Sequence, residues 1–364
     1  MKFRPPPMQP AFYGTGHLVV WIAALAAILL SPILTALIVS PETRYLVMSK
    51  RVGPSDWHTS QVLKETGPLD ILVLGNSRML TAIDHAALRK DVHAPDGPLR
   101  SETIAARFNG YDLSYTFLKD FFIHRRARLV VINYPDIPQV DNHPAEKYIR
   151  TLGQPDPGLD IKTPSLAVTN YAEMALIGPR LALASIIRPG SVTEQGYRTK
   201  EDFPDYQRTR GSYTPDEGYQ ENKTSSREAF ASYDSPDKPQ PAIIISPGAP
   251  LPAGVILTDR PLTPIESAYL PAIRTLCEKN GALLAFMLLP MATGQGPTIE
   301  ISSQVLALGV PIIAASPESM FGNISADRIK ENYFDYLHLN SNGARRSAQV
   351  FGPALQTLLQ QTRG

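Results

Sequence analysis

The chain has 364 residues, 43% of them hydrophobic, and 35 basic against 34 acidic side chains, for a net charge of +1. That length and apolar content suffice for one sizeable core, and so even a charge balance gives no electrostatic case for nucleic acid. A lone cysteine, Cys277, excludes an intrachain disulfide, a cysteine-based metal site and a dithiol redox motif.

Residues 17–40, HLVVWIAALAAILLSPILTALIVS, contain no Asp, Glu, Lys or Arg. At about 1.5 Å per residue, a helix of that length crosses an apolar layer of about 30 Å. A cleaved signal carries a shorter apolar region, and a buried globular helix is rarely apolar all round, so the segment reads as a transmembrane helix. Pro32 lies within it and is tolerated there if the freed carbonyl finds another partner, while Trp21 suits an interface. Lys2 and Arg4 precede the span and Arg44, Lys50 and Arg51 follow it, so flanking charge does not orient it. The expected organisation is a tail (1–16), the span (17–40), a membrane-proximal linker (41–67) and one domain (68–364).

Within the domain, apolar runs at 71–74, 104–108, 129–132, 283–288 and 311–314 are separated by helical patterns, the mark of parallel βαβ units. This predicts an α/β fold on a mostly parallel, five-stranded sheet. Leu113, Phe117, Leu118 and Phe121 share one face of a helix over 113–123, and Asp120 and His124 read as a solvated pair on it. From about 189 to 254 the chain turns polar and rich in Pro, Tyr and charge, which suits an insertion. It is either a solvated loop or a lid and partner-binding region, in which Tyr206, Tyr213 and Tyr219 could stack on sugar rings. Thr263 and Glu266 form a capping box around Pro264, and Gly281 suits the end of that helix, whose buried face carries Leu270, Ile273 and Cys277. Pro271 is expected to bend it. A final helix opens at 340–343 and aligns Ala344, Ala348, Phe351, Leu355 and Leu358, with Pro353 expected to kink or split it.

Chemistry concentrates at two places far apart in sequence. The run ILVLGNSRM (71–79) ends a buried strand in a small-residue turn bearing Ser77, and the carboxyl ends of such strands are where open α/β sheets place their sites. Asp335 and His338, three residues apart, can project together so that the carboxylate holds one ring nitrogen while the other faces Ser77. The rival reading makes Gly75-Asn76-Ser77 an ordinary strand-to-helix turn with Ser77 as helix cap; the conjunction with Asp335 and His338 favours a nucleophile. Arg78 either binds an anionic donor or polymer or is a solvated or structurally paired side chain. The remaining histidines are scattered, with no His-Glu-x-x-His pattern, so a zinc hydrolase has little support and no metal or organic cofactor is expected.

At these residues the chain resembles the SGNH, or GDSL-like, hydrolase superfamily, with Asn76 in place of the family's Asp. The stretches GNSRMLTAIDHAAL, ARFNGYDLSYTFLKDFF and FDYLHLNSNGA resemble its membrane-anchored branch, which includes polysaccharide O-acetylation proteins and the D-alanyl transfer protein of teichoic acids. The resemblance covers roughly 68–140 and 265–360. It implies a three-layer α/β/α, flavodoxin-like domain, with Ser77 as nucleophile, His338 as general base and Asp335 as its orienter. Oxyanion donors would be the Ser77 and Gly110 amides, and Asn133 is the candidate for the family's third-block side chain. It further implies a cytoplasmic tail, a single-pass anchor in a bacterial inner membrane, and a periplasmic acyltransferase acting on a cell-surface or secreted polysaccharide. A membrane-bound O-acyltransferase is the implied partner. A carbohydrate esterase and a non-catalytic polymer-binding scaffold are the alternatives.

Overall fold

Strand β1 (Leu69–Gly75) is buried at every position, as a strand covered on both faces must be. The computed structural model describes residues 15–52, 58–108, 110–152, 156–160, 162–187, 239–294, 296–322, 325–333 and 335–362. Tyr206, Tyr213 and Tyr219 lie outside the described residues. The other strands are β2 (Ser101–Ala105), β3 (Ala127–Asn133), β4 (Ile243–Ile245), β5 (Val255–Thr258), β6 (Leu283–Leu288), β7 (Ile299–Ser302) and β8 (Ile312–Ala314). Six form one sheet in the order β2-β1-β3-β6-β8-β4, and β5 pairs with β7 separately. The main sheet is parallel except for β4, which runs antiparallel to β8.

Among the described residues the helices in chain order are α1 (Thr15–Ile38), α2 (Pro41–Val52), α3 (Ser77–Ala82), α4 (His85–Asp91), α5 (Tyr111–His124), α6 (Glu146–Ile149), α7 (Pro164–Ile187), α8 (Pro264–Lys279), α9 (Ser303–Leu306), α10 (Pro317–Phe321), α11 (Ala326–Lys330) and α12 (Ser341–Gln361). Alternate residues of the strands feed two apolar clusters, because side chains along a strand point to opposite faces. Leu72, Leu74, Val130 and Ile132 pack with Phe117 and Phe121 of α5 and Ile273 and Cys277 of α8. Ile71, Val73, Leu129 and Val131 pack with Leu88 of α4 and Ala348, Phe351 and Leu355 of α12. Helices therefore lie against both faces of a mostly parallel sheet. Helix α1 is long and apolar enough to cross a membrane.

Among the described residues the sheet has six strands where five were expected. The additional one, β4, lies within the segment read as a polar insertion, and its three isoleucines between Pro241 and Pro247 suit only a short edge strand. Strand β2 sits earlier than its apolar residues imply, since Ser101 and Thr103 are buried and their hydroxyls meet the His85 ring at 2.8 and 2.9 Å. The capping box forms at α8, and both α8 and α12 run unbroken through Pro271 and Pro353. Residues 41–67, expected as a linker, instead carry α2 and a π-helical turn (Ser60–Lys64), with Tyr45, Met48 and Val62 in the core. The Tyr45 hydroxyl donates to Asp120 at 2.9 Å, so Asp120 is engaged across the α2–α5 contact and is not simply a solvated partner of His124.

A charged cluster is buried between α6, the turn at 156–159 and α8. Arg150 reaches Asp156 at 2.9 Å and Glu146 at 3.6 Å, with all three side chains nearly inaccessible, and its guanidinium also donates to the Tyr269 hydroxyl at 3.2 Å. Replacing Arg150 by Met removes the cation and leaves two carboxylates buried without it. The expected cost is about 3–5 kcal/mol, read as a lowered midpoint in chemical unfolding. A change within about 0.5 kcal/mol would show that the cluster relaxes or hydrates freely.

Candidate active site

The turn after β1 admits only glycine at its first position. Gly75 has φ +145°, and a Cβ there would come within 2.5 Å of Asn133 Oδ1 and 2.8 Å of Met79 Cγ. Asn76 then caps α3, its side-chain oxygen accepting the Arg78 amide at 3.0 Å. Ser77 is consequently the first residue of the helix and not its cap, which leaves its hydroxyl for other work.

That hydroxyl meets His338. The Ser77 Oγ to His338 Nε2 distance is 2.7 Å, and His338 Nδ1 lies 2.7 and 2.9 Å from the two oxygens of Asp335. A carboxylate facing Nδ1 assigns the proton to that nitrogen, so Nε2 accepts the serine O–H. Asp335 Oδ1 also accepts the backbone amides of Leu337 and His338, each at 2.8 Å. Burial acts to raise the Asp335 carboxyl, but the His338 ring and these two amides outweigh it and hold it below the usual carboxylate range. His338 and Asp335 remain 22% and 25% exposed, open enough for a substrate to reach the ring.

The loop carrying the pair is fixed at both ends. Asn340 caps α12 by accepting the amides of Asn342 and Gly343 at 3.0 and 3.1 Å, and donates back to Glu331 O at 2.8 Å. Upstream, the Tyr333 hydroxyl donates to Pro290 O at 2.8 Å, just beyond β6. These bonds hold the acid–base pair against the carboxyl edge of the sheet, where Ser77 stands.

Gly110 occupies the neighbouring junction between β2 and α5, which it caps. The Ala106 amide bonds Gly75 O at 2.9 Å, tying the ends of β1 and β2 together. A Cβ at Gly110 would lie 2.8 Å from the His143 ring, so close packing demands glycine. Tyr111 donates its amide to Gln139 Oε1 at 2.7 Å, and Asp112 accepts the His143 amide at 2.7 Å, which orients the start of α5.

Two expected site residues face inward. Asn133 is buried, and one of the two Nδ2 hydrogens goes to the Tyr111 hydroxyl at 2.9 Å, which ties the end of β3 to α5. Arg78 is 4% exposed, paired with Asp136 and bonded to Leu289 O, which clamps the start of α3 to the ends of β3 and β6. Of the readings open for Arg78, the structurally paired one describes its surroundings and the solvated one does not. Asn76, Tyr111, Asp136 and His143 were not singled out from sequence as site-supporting residues. For Asp136 the position just beyond a strand end was a usable signal; for His143, in an irregular loop, there was none.

No family model, curated protein or solved structure matches the chain. A hydroxyl, an imidazole and a carboxylate in linear contact can raise the nucleophilicity of serine, store its proton and return it to a leaving group.

Proposed function

We propose that this protein is an SGNH-like serine acyltransferase, anchored by α1 in a bacterial inner membrane with its α/β domain in the periplasm. The observation that carries this reading is the continuous contact from Ser77 through His338 to Asp335, residues drawn from opposite ends of the chain. In this scheme Ser77 Oγ attacks the acyl carbonyl as His338 Nε2 takes its proton. Amides of Ser77 and Gly110 stabilise the tetrahedral oxyanion, and the leaving group departs with the proton from His338. In the second half, His338 deprotonates an acceptor hydroxyl, which attacks acyl-Ser77 and regenerates the free serine.

The acceptor we infer is a hydroxyl of a cell-surface or secreted polysaccharide and the acyl group is acetyl, supplied through a membrane-bound O-acyltransferase. The sheet with helices on both faces is compatible with the three-layer SGNH arrangement. Incubating the full-length protein with an activated acetyl ester should add one acetyl mass to the peptide bearing Ser77, and addition of the acceptor polysaccharide should discharge it onto sugar. Discharge to free acetate alone, with acceptor present, would favour an esterase. Absence of any adduct or turnover would leave a polymer-binding role as the better reading.

A further inference from the structure

Helix α7 packs along α1 with its contacts climbing both helices in the same direction. The Tyr171 hydroxyl donates to Leu29 O, Ser31 Oγ donates to Ala175 O at 2.9 Å, and Gly178 lies so close to Thr35 that a Cβ would come within 2.5 Å of its Oγ1. The inward stripe of α7 comprises Leu166, Asn170, Met174, Gly178 and Leu181, spaced three and four apart and buried. On the opposite face Val168, Leu176, Leu183 and Ile186 are 58–70% exposed, Ala172 and Pro179 lie between them, and Ser165 and Thr169 make its first two turns partly polar. Glu173 and Arg180 fall at the edge of this face at 100° per residue.

The depth of this face follows from the length of α1. Residues 16–30 are exposed on all sides, and these fifteen residues rise about 22 Å, short of the about 30 Å of a hydrocarbon core. The candidate span runs Gly16–Ile38, so residues 31–35 lie within it, and these are the ones in contact with Ala175 and Gly178 of α7. A span completed by α1 thus carries the middle of α7 to apolar depth. A largely apolar face at that depth, exposed among the described residues and continuous with the exposed surface of α1, fits acyl chains.

We propose that the outer face of α7 contacts lipid, so that the domain is seated in the bilayer surface beside α1 and not held above it on a tether. The occupant is the acyl region of the bilayer. This rests on α1 as a membrane span, and the test separates the two. Full-length protein in phospholipid vesicles would carry a nitroxide at Leu25→Cys on α1, at Leu176→Cys or Leu183→Cys on α7, or at Thr275→Cys on the exposed side of α8. Cys277 is fully buried, and its thiol is pushed up by burial, so it does not compete for label.

The ratio of collision with oxygen to collision with a water-soluble nickel chelate should be severalfold higher at Leu25, Leu176 and Leu183 than at Thr275. A high ratio at Leu25 with values at Leu176 and Leu183 matching Thr275 overturns the proposal while keeping the span. A low ratio at Leu25 overturns both. Shielding of Leu176 and Leu183 from both reagents also overturns it, since another copy of the chain then covers the face. The labelled positions are surface sites, and the two on α7 serve as independent checks should either disturb folding.

Discussion

Ser77→Ala is expected to lower turnover of an activated acyl ester by at least about 10³-fold, with loss of the acetyl adduct. The substitution removes one oxygen from the first turn of α3 while the Asn76 cap and the Arg78–Asp136 pair stay in place, so unfolding midpoints should barely move. What disappears is the 2.7 Å contact with His338 Nε2 and with it the only nucleophile the scheme contains. Because serine and base act as one unit, His338→Ala should cost about as much, and the double substitution little more than either single one. A rate within tenfold of the starting protein, or losses that multiply in the double variant, would show that catalysis runs elsewhere or that these groups act independently.

Much of this site was legible because its signals are local. A buried apolar run ending in Gly75-Asn76-Ser77 marks a strand end, and Asp335 and His338 lie within one turn of each other, so each half of the triad has a short-range signature. The capping box at Thr263 and Glu266 is visible for the same reason. What escaped detection depends on tertiary partners. Ser101 and Thr103 do not read as buried strand positions until His85 is placed against them. Arg78 looks like a ligand-binding cation until Asp136 and the Leu289 carbonyl converge on it. Asn133 stands at the right strand end for an oxyanion donor, but its contact with the Tyr111 hydroxyl, 22 residues away, has no signature in the sequence. Residues 41–67 looked like a tether because Tyr45 and Met48 gain meaning only against α5. Helix α7 did not stand out because Glu173, Pro179 and Arg180 interrupt its apolar character, and its partner α1 lies more than a hundred residues upstream.

Asp335→Asn should be nearly as damaging as loss of the serine, and for a subtler reason. An asparagine can keep accepting the Leu337 and His338 amides through its remaining oxygen, so the loop should hold its shape. The group facing Nδ1 then becomes an NH₂ donor, which favours the tautomer with the proton on Nε2. That nitrogen can no longer accept the Ser77 O–H, and no carboxylate is left to stabilise the imidazolium formed during attack. The expected fall in kcat is about 10⁴-fold, or about 5.5 kcal/mol of transition-state stabilisation. The pH response supplies a second check. With its pKa lowered, the Asp335 carboxylate contributes stability that is fully present above the unfolded carboxyl value and lost only as pH falls through the lower folded value. Wild-type protein should therefore lose this contribution on acidification below the ordinary carboxylate range, and Asp335→Asn should lack that part of the pH dependence in chemical unfolding. If instead kcat falls less than tenfold while the unfolding profile is unchanged, Asp335 does not orient His338, and the imidazole must be held by something other than this carboxylate.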